Sequence, residues 1–477
     1  MIYLCDVAGV RVRVDGEDPE VGDASVSRDD RTSDTELTAG GSWFRRFGVA
    51  LIVIVAIGVV TRLLFVFGWT WGAPLHGDPG FYQQTAARLA NGNGYVHQFL
   101  ETGPLVPTAL HPPVFTSVLA TLDIIGIRSI DAHRLALAFI SAGGVLAVGL
   151  FGRRLAGPCV GLLAAGIAAL DPLWVQQGGF LMSESVYLVV IPTMLLFALR
   201  CIDGPNRWDF AILGVLIGIA ALTRSEAVDF IVLLGIPAVI FASHSWHKRM
   251  VLGLVLLAGI VLVIGPWLIR NDIQLGSPTL STNGGFTLSG SYSAATFSPS
   301  SPEYGGFDDS SQNGLAAVIF SYVKPPNHAK HWTERTLSDA MATASTNYAQ
   351  GHLSDLPGVM LAREGRVWGV YAPGTELTFD VSEDGNGGAG PKQVGQIVNW
   401  VLLPLAVVGA ARVATRSRRR LIIVMVPVVV VAINAALFYG STRLRVAAEP
   451  SIAALASAGA LWAVESIRRR IGHDLKP

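Results

Sequence analysis

The chain has 477 residues, 51% of them hydrophobic and only 15% charged, with a formal net charge of zero. Soluble domains carry about 25% charged residues, so this composition describes a polytopic membrane protein rather than a soluble one. Balanced charge gives no electrostatic reason to bind nucleic acid, and three cysteines, Cys5, Cys159 and Cys201, supply neither metal-site spacing nor a disulfide framework.

In chain order, residues 1–42 are polar, rich in Asp, Ser, Thr and Gly, and lack the apolar core of a signal peptide. They read as a disordered cytoplasmic tail. A membrane span needs about 20 mostly apolar residues. The runs that qualify or nearly do so are 48–69, 132–152, 158–175, 180–200, 208–223, 226–243, 249–269, 396–414, 420–440 and 449–467. The expected architecture is an all-α integral membrane bundle of about ten helices. Residues 43–269 hold seven spans and a first outer loop, 70–131. Residues 270–395 form a larger outer loop, and 396–477 hold three spans and a short tail.

Arginine placement orients these spans. Basic residues concentrate in short cytoplasmic loops. With Arg45 and Arg46 inside, alternation also puts Arg153/Arg154, Arg200/Arg207, Lys248/Arg249, the arginines between 416 and 420, and Arg468–Arg470 inside. Both termini are then cytoplasmic. The opposite face collects Asp78, Glu101, His111, Asp171, Glu184, Arg224, Glu226, Arg270, Arg443, Arg445 and Glu449. Charges drawn from several connections to one membrane edge tend to line a site. Span interiors read as nearly charge-free, and no pair of broken spans is evident, which argues against a transporter or flippase.

The first outer loop carries the stretch HGDPGFY. Gly77 and Pro79 favour a turn, and the residues after them continue as a short amphipathic helix, so Asp78 reads either as a helix N-cap or as a reactive carboxylate. His111 precedes a proline pair and a second apolar-faced helix. The two helices are expected to lie in the interface rather than cross it. Arg270, Arg443 and Arg445 leave their spans on the outer face, against the positive-inside bias, and guanidinium groups suit phosphate. Phosphate-loop, G-x-G-x-x-G, H-E-x-x-H and G-x-S-x-G motifs are all missing from the sequence.

GDPGFYQQTAARLANGNGYV and HPPVFTSVLA, followed by FLMSESVYL, ALTRSEA, GPWLIRN with STNGGFTLSGSYS, and STRLRVAAEPSIAALASAG, together resemble membrane glycosyltransferases of the GT-C superfamily. The similarity is greatest to the bacterial branch related to protein O-mannosyltransferases and lipid A aminoarabinose transferase, over roughly residues 45–470. This resemblance implies transfer of a sugar from a polyprenyl-phosphate donor to an envelope acceptor at the outer face of the bacterial cytoplasmic membrane. It implies Asp78 as catalytic base, with inversion at the anomeric carbon. Arg270, Arg443, Arg445 and His111 become candidates for the donor phosphate, and Tyr82, Glu184, Arg224 and Glu226 support them. Pro79 stands where relatives often carry a second acid, so a divalent metal ion is left as an open cofactor. The acceptor (glycan, lipid or protein) is not legible. A lipid-linked glycan flippase, and a polymerase or ligase with a diphosphate-linked donor, stay open as alternatives.

Overall fold

The structure, a computed structural model, describes residues 32–75, 77–98, 104–309, 333–376 and 389–474. The first helix, α1 (Thr32–Phe65), extends into a π-helical turn at Val66–Thr70. It therefore begins inside the segment expected to be a disordered tail. No proline interrupts residues 32–65, and Asp34 and Glu36 in its opening turns suit a helix N-terminus. Residues 1–31 lie outside the described part of the chain.

After α1 comes α2 (Gly77–Ala90), then a hairpin of β1 (Val96–Gln98) and β2 (Leu105–Pro107), then α3 (Pro113–Ile124). The strands pair antiparallel, His97 facing Val106. The membrane bundle continues with α4 (Ile130–Ala156), α5 (Pro158–Leu170), α6 (Pro172–Gly179), α7 (Glu184–Asp203) and α8 (Arg207–Thr223). Next come α9 (Ser225–Ala242) and α10 (Trp246–Leu275). The segment after α10 contributes α11 (Gly284–Ser291), α12 (Ala294–Phe297), α13 (Glu334–Gly351) and α14 (Leu356–Val367). The chain ends with α15 (Ala389–Arg416), α16 (Arg418–Leu437), a 3₁₀ turn at Thr442–Ala447, and α17 (Glu449–Asp474).

All ten expected apolar runs become helices, but not ten equal crossings. Among the described residues, eight helices are long and apolar enough to span a membrane. The run 158–175 is instead a pair, α5 and α6, bent by 59° at Asp171 and Pro172. The run 208–223 becomes α8, whose 17 residues reach about 26 Å, short of a hydrocarbon core of about 30 Å. Asn206 caps one end of α8, its side chain accepting from the Trp208 N–H, and Arg224 at the other end is extended.

The bend in α5–α6 follows from one proline. Pro172 has no N–H to offer the Ala168 carbonyl, and Asp171 takes the Leu173 N–H on its own carboxylate at 2.8 Å. Two carbonyls inside the bundle would then be orphaned. Arg62 Nη2 donates to Ala168 O at 3.2 Å and Thr61 Oγ1 to Ala169 O at 2.8 Å. Arg62 is fully buried in the first span and also donates to Gly58 O and Ser141 Oγ. Arg62 is thus a buried charge in spans whose interiors read as nearly charge-free, and the break at Asp171 and Pro172 is sealed by protein groups, as lipid-depth backbone must be.

Close helix crossings fix the rest of the bundle. A methyl group added at Gly214 of α8 would meet Leu256 O of α10, and one at Gly459 of α17 would meet Leu405 O of α15. Glycine at these crossings lets the backbones approach.

The acidic and basic groups sort to opposite ends of the helices. Glu184, at the start of α7, meets Arg224 and Arg443. Asp203, at its other end about 30 Å away, meets Arg154 and Arg420.

Candidate active site

Asp78 stands in the first turn of α2, immediately after Gly77, whose φ of +54° is a left-handed value that glycine adopts freely. It does not spend its carboxylate as a simple cap. Oδ1 lies 3.2 Å from His111 Nε2 and Oδ2 accepts from Arg443 Nη2 at 3.1 Å. The side chain is still 31% exposed. Burial alone would push this carboxyl up, but the His111 imidazole and then the Arg443 guanidinium outweigh it and hold the group well below the usual carboxylate range.

His111 is set in place from three sides. The Tyr95 hydroxyl donates to its carbonyl at 2.9 Å, and its ring packs against Phe81 and Tyr82, both with centroids at 4.9 Å. The segment after α10 then locks the loop. Thr282 N–H donates to Ala109 O at 2.8 Å, Ser281 Oγ to Leu110 O at 2.5 Å, and the buried Glu334 carboxylate accepts from Thr108, Ala109 and Thr282. Thus α13, far along the chain, clamps the loop that carries His111.

From Asp78 a line of ionisable groups runs inward. Arg443 pairs with Glu184 as well as Asp78; Glu184, fully buried, pairs with Arg224; and Arg224 pairs with Glu226. They come from four connections: α2, the 3₁₀ turn before α17, the start of α7, and, for both Arg224 and Glu226, the break between α8 and α9. Tyr82 is buried beside them. Burial pushes its phenol up, and the charges of Asp78 and Glu184 add to this, so it stays a protonated donor. Asp78, Arg443, Arg224, Glu226 and Tyr82, with His111, line one cavity of about 680 Å³, and Glu184 lies buried behind its wall. That volume is in the range of small-molecule sites.

Two of the candidates for the donor phosphate are not in this cavity. Arg270 turns to the hairpin, donating to Tyr95 O and Thr108 O, each at 2.7 Å, and stacking over Trp267. Arg445 pairs with Glu449 at 2.6 Å on the far side of the 3₁₀ turn. On a 3₁₀ turn of three residues per repeat, 443 and 445 cannot face the same way. The structure therefore places both outside the cavity that holds Asp78.

The cavity also contains groups that sequence reading passed over. Asp309 lines it, its carboxyl pushed up by burial and by the nearby Asp308 and Asp78. Asp229 and Asn434 face each other across it at 2.8 Å. The doublet FDDS was the available signal for Asp309; for Asn434, an amide within a span, polarity alone was the signal. His76, Glu101, His328 and His331 lie outside the described residues, as does most of the stretch DVSEDGNGGAGPK, expected to be a flexible part of the large loop.

Among the described residues no cluster of three or more His, Cys, Asp or Glu side chains is placed to hold a metal ion. Both Asp78 oxygens face nitrogen partners, His111 Nε2 and Arg443 Nη2.

Residues 110–269, from His111 and α3 through most of α10, match the family model described as dolichyl-phosphate-mannose-protein mannosyltransferase. The matched segment is narrower than the 45–470 over which the sequence resemblance runs, and it excludes Asp78 and Arg443. No curated protein matches this chain.

Among solved structures, the oligosaccharyltransferase of Archaeoglobus fulgidus in its apo form shares 17% identity with a TM-score of 0.51. The alignment covers 91% of this chain and 53% of the archaeal one. The same enzyme in complex with an inhibitory peptide and a dolichol-phosphate gives 15% identity, the same two coverages and a TM-score of 0.49. ArnT from Cupriavidus metallidurans, bound to undecaprenyl phosphate, gives 14% identity, 91% and 81% coverage and a TM-score of 0.39. This chain therefore spans about half the length of the archaeal enzyme, and at such identities the likeness is one of fold, a multi-pass helical bundle.

Proposed function

We propose that the protein transfers a sugar from a polyprenyl-phosphate donor to a hydroxyl of an envelope acceptor, at the extracytoplasmic face of a bacterial cytoplasmic membrane. The observation that carries this reading is that Asp78, Arg443 and Arg224 line one cavity, with the buried Glu184 behind them paired to both arginines. A base stands beside two guanidinium groups at the membrane edge, where a lipid-borne phosphate arrives. The family description, which names a polyprenyl-type phosphate sugar, supports the donor class.

In this mechanism Asp78 accepts the acceptor hydroxyl proton as that oxygen attacks the anomeric carbon. The carbon–oxygen bond to phosphate breaks, and the phosphate leaves with the electron pair. Arg443, with His111 beside it and Arg224 behind, stabilises that departing charge. Glu184 holds both arginines in register and stays out of the bond changes.

A carboxylate held so acidic is a weak base in the resting site. Donor binding answers this. An incoming phosphate competes for Arg443 and His111, and its own negative charge raises the proton affinity of Asp78. Asp78 thus becomes basic when the donor is in place.

Asp78→Asn in detergent, assayed with polyprenyl-phosphate mannose, glucose and arabinose and an envelope acceptor fraction, tests the reading. Turnover is expected to fall by roughly 10²–10⁴-fold, the usual contribution of a positioned base, with donor binding kept. Transfer at the wild-type rate would overturn it. Arg224 and Arg443 are also paired on one carboxylate, which suits a diphosphate donor. Turnover with diphosphate-linked sugars alone would move the assignment to that class.

A further inference from the structure

The end of the bundle opposite Asp78 holds a second cavity, of about 910 Å³, walled by the α4–α5 turn, the α15–α16 turn and the flank of α17. Six arginines line it: Arg153, Arg154, Arg412, Arg416, Arg419 and Arg420. Positive residues at a cytoplasmic edge are ordinary topology signals when scattered over loops. These instead converge on one concave space between helices.

Arg153 stacks over the Phe47 ring at 4.6 Å, and the commitments of the other five separate them into two sets. Arg154 and Arg420 both pair with Asp203, at 2.8 and 3.0 Å, and Arg420 also donates to Leu155 O at 3.1 Å. Those bonds build the wall by tying three turns together. Arg412, Arg416 and Arg419 form no ion pair among the described residues. Arg412 and Arg416 are four apart on α15 and share a face, and Arg419 follows in the first turn of α16, which Ser417 caps. Glu465 is the one further carboxylate in the lining. Like charges held around a shared space call for a counter-charge.

We propose that this cavity binds the phosphate of an anionic membrane lipid. Guanidinium groups match phosphate oxygens in pairs and stay charged at any working pH. The lipid source follows from the surroundings. The lining continues into Val413, Ala458, Leu461 and Trp462, the last 41% exposed, as an interfacial tryptophan is. Above it the side of α15 that carries Arg412 presents Ile397 and Val401, 57% and 58% exposed, as a track for an acyl chain. Basic pockets between spanning helices at this edge suit anionic headgroups. The site is independent of the reaction proposed above, whose residues lie at the other end of α7.

Full-length protein in mild detergent, titrated with phosphatidylglycerol, cardiolipin or phosphatidylcholine and read by native mass spectrometry, tests this. The anionic lipids bind and phosphatidylcholine does not. The triple variant Arg412→Gln, Arg416→Gln, Arg419→Gln weakens anionic lipid binding about a hundredfold. Millimolar inorganic phosphate leaves the bound lipid in place. Equal binding by the triple variant overturns the proposal, as does displacement by inorganic phosphate, which would make this a soluble-anion site. Should the triple variant fail to fold, Glu465→Gln carries the test. Losing the opposing carboxylate tightens anionic lipid binding severalfold, and no change would overturn the assignment.

Discussion

Asp78 and Arg443 show how one contact can serve structure and chemistry together. Because Asp78 is held well below the usual carboxylate range, it favours the folded state wherever it is ionised there. The sign is fixed by the direction of that shift. The stabilisation is present above the unfolded-state value, about 3.9, and is lost as pH falls through the lower folded-state value. Wild type is therefore expected to melt above Asp78→Asn at pH 7, with the gap closing below about pH 4. Melting curves in detergent from pH 7 to pH 3 check this, and a gap that widens in acid would contradict it. The two arginines first matched on sequence grounds behave differently. Arg443→Gln removes a site cation and lowers turnover roughly 10²–10³-fold. Arg270→Gln frees the Tyr95 and Thr108 carbonyls and lowers the melting temperature, leaving the turnover of the folded fraction near wild type. Steady-state kinetics normalised to folded protein separates the two.

Among the elements, the bent α5–α6 pair is the one whose stability depends on a single side chain. Arg62 joins α1 to the carbonyl that Pro172 leaves open, and Thr61 covers its neighbour. Arg62→Met keeps the aliphatic stem but abandons buried acceptors, each costing about 1–3 kcal/mol when unsatisfied. The melting temperature is expected to fall accordingly. Pairing Arg62→Met with Pro172→Ala restores an N–H to the Ala168 carbonyl and should recover part of the loss. No recovery would mean that Arg62 acts elsewhere. The α2–hairpin–α3 unit has the opposite character. It carries Asp78 and His111 yet is held by residues from remote parts of the chain, above all Glu334.

On the scale of the molecule, the two ends of the bundle carry distinct electrostatics, and the orientation read from arginine placement becomes a testable statement. In a cysteine-free background, Ser300→Cys, exposed at the Asp78 end, should react with a membrane-impermeant thiol reagent added to intact cells. Thr415→Cys, exposed in the last turn of α15, should react only after the cells are opened. The reverse pattern would invert the topology and move both proposed sites to the other face.

The sequence by itself determined the membrane class, the helical runs and the gathering of Asp78, His111, Glu184, Arg224, Glu226 and Arg443 at one edge. Those follow from hydropathy and charge order along the chain, which are local properties. It also showed the prolines, but not which orphaned carbonyl Arg62 would satisfy, because that partner lies 106 residues away. Only the tertiary structure decided that Arg443 reaches Asp78 across 365 residues while Arg445, two positions on, turns to Glu449. Only it turned Arg270 to the hairpin carbonyls and brought Asp309 into the cavity. The physical reason is common to these cases. Span count and charge order fix which end of the bundle a residue occupies. The rotation of each helix and turn, set by packing at close crossings and by buried hydrogen bonds, fixes what its side chain meets.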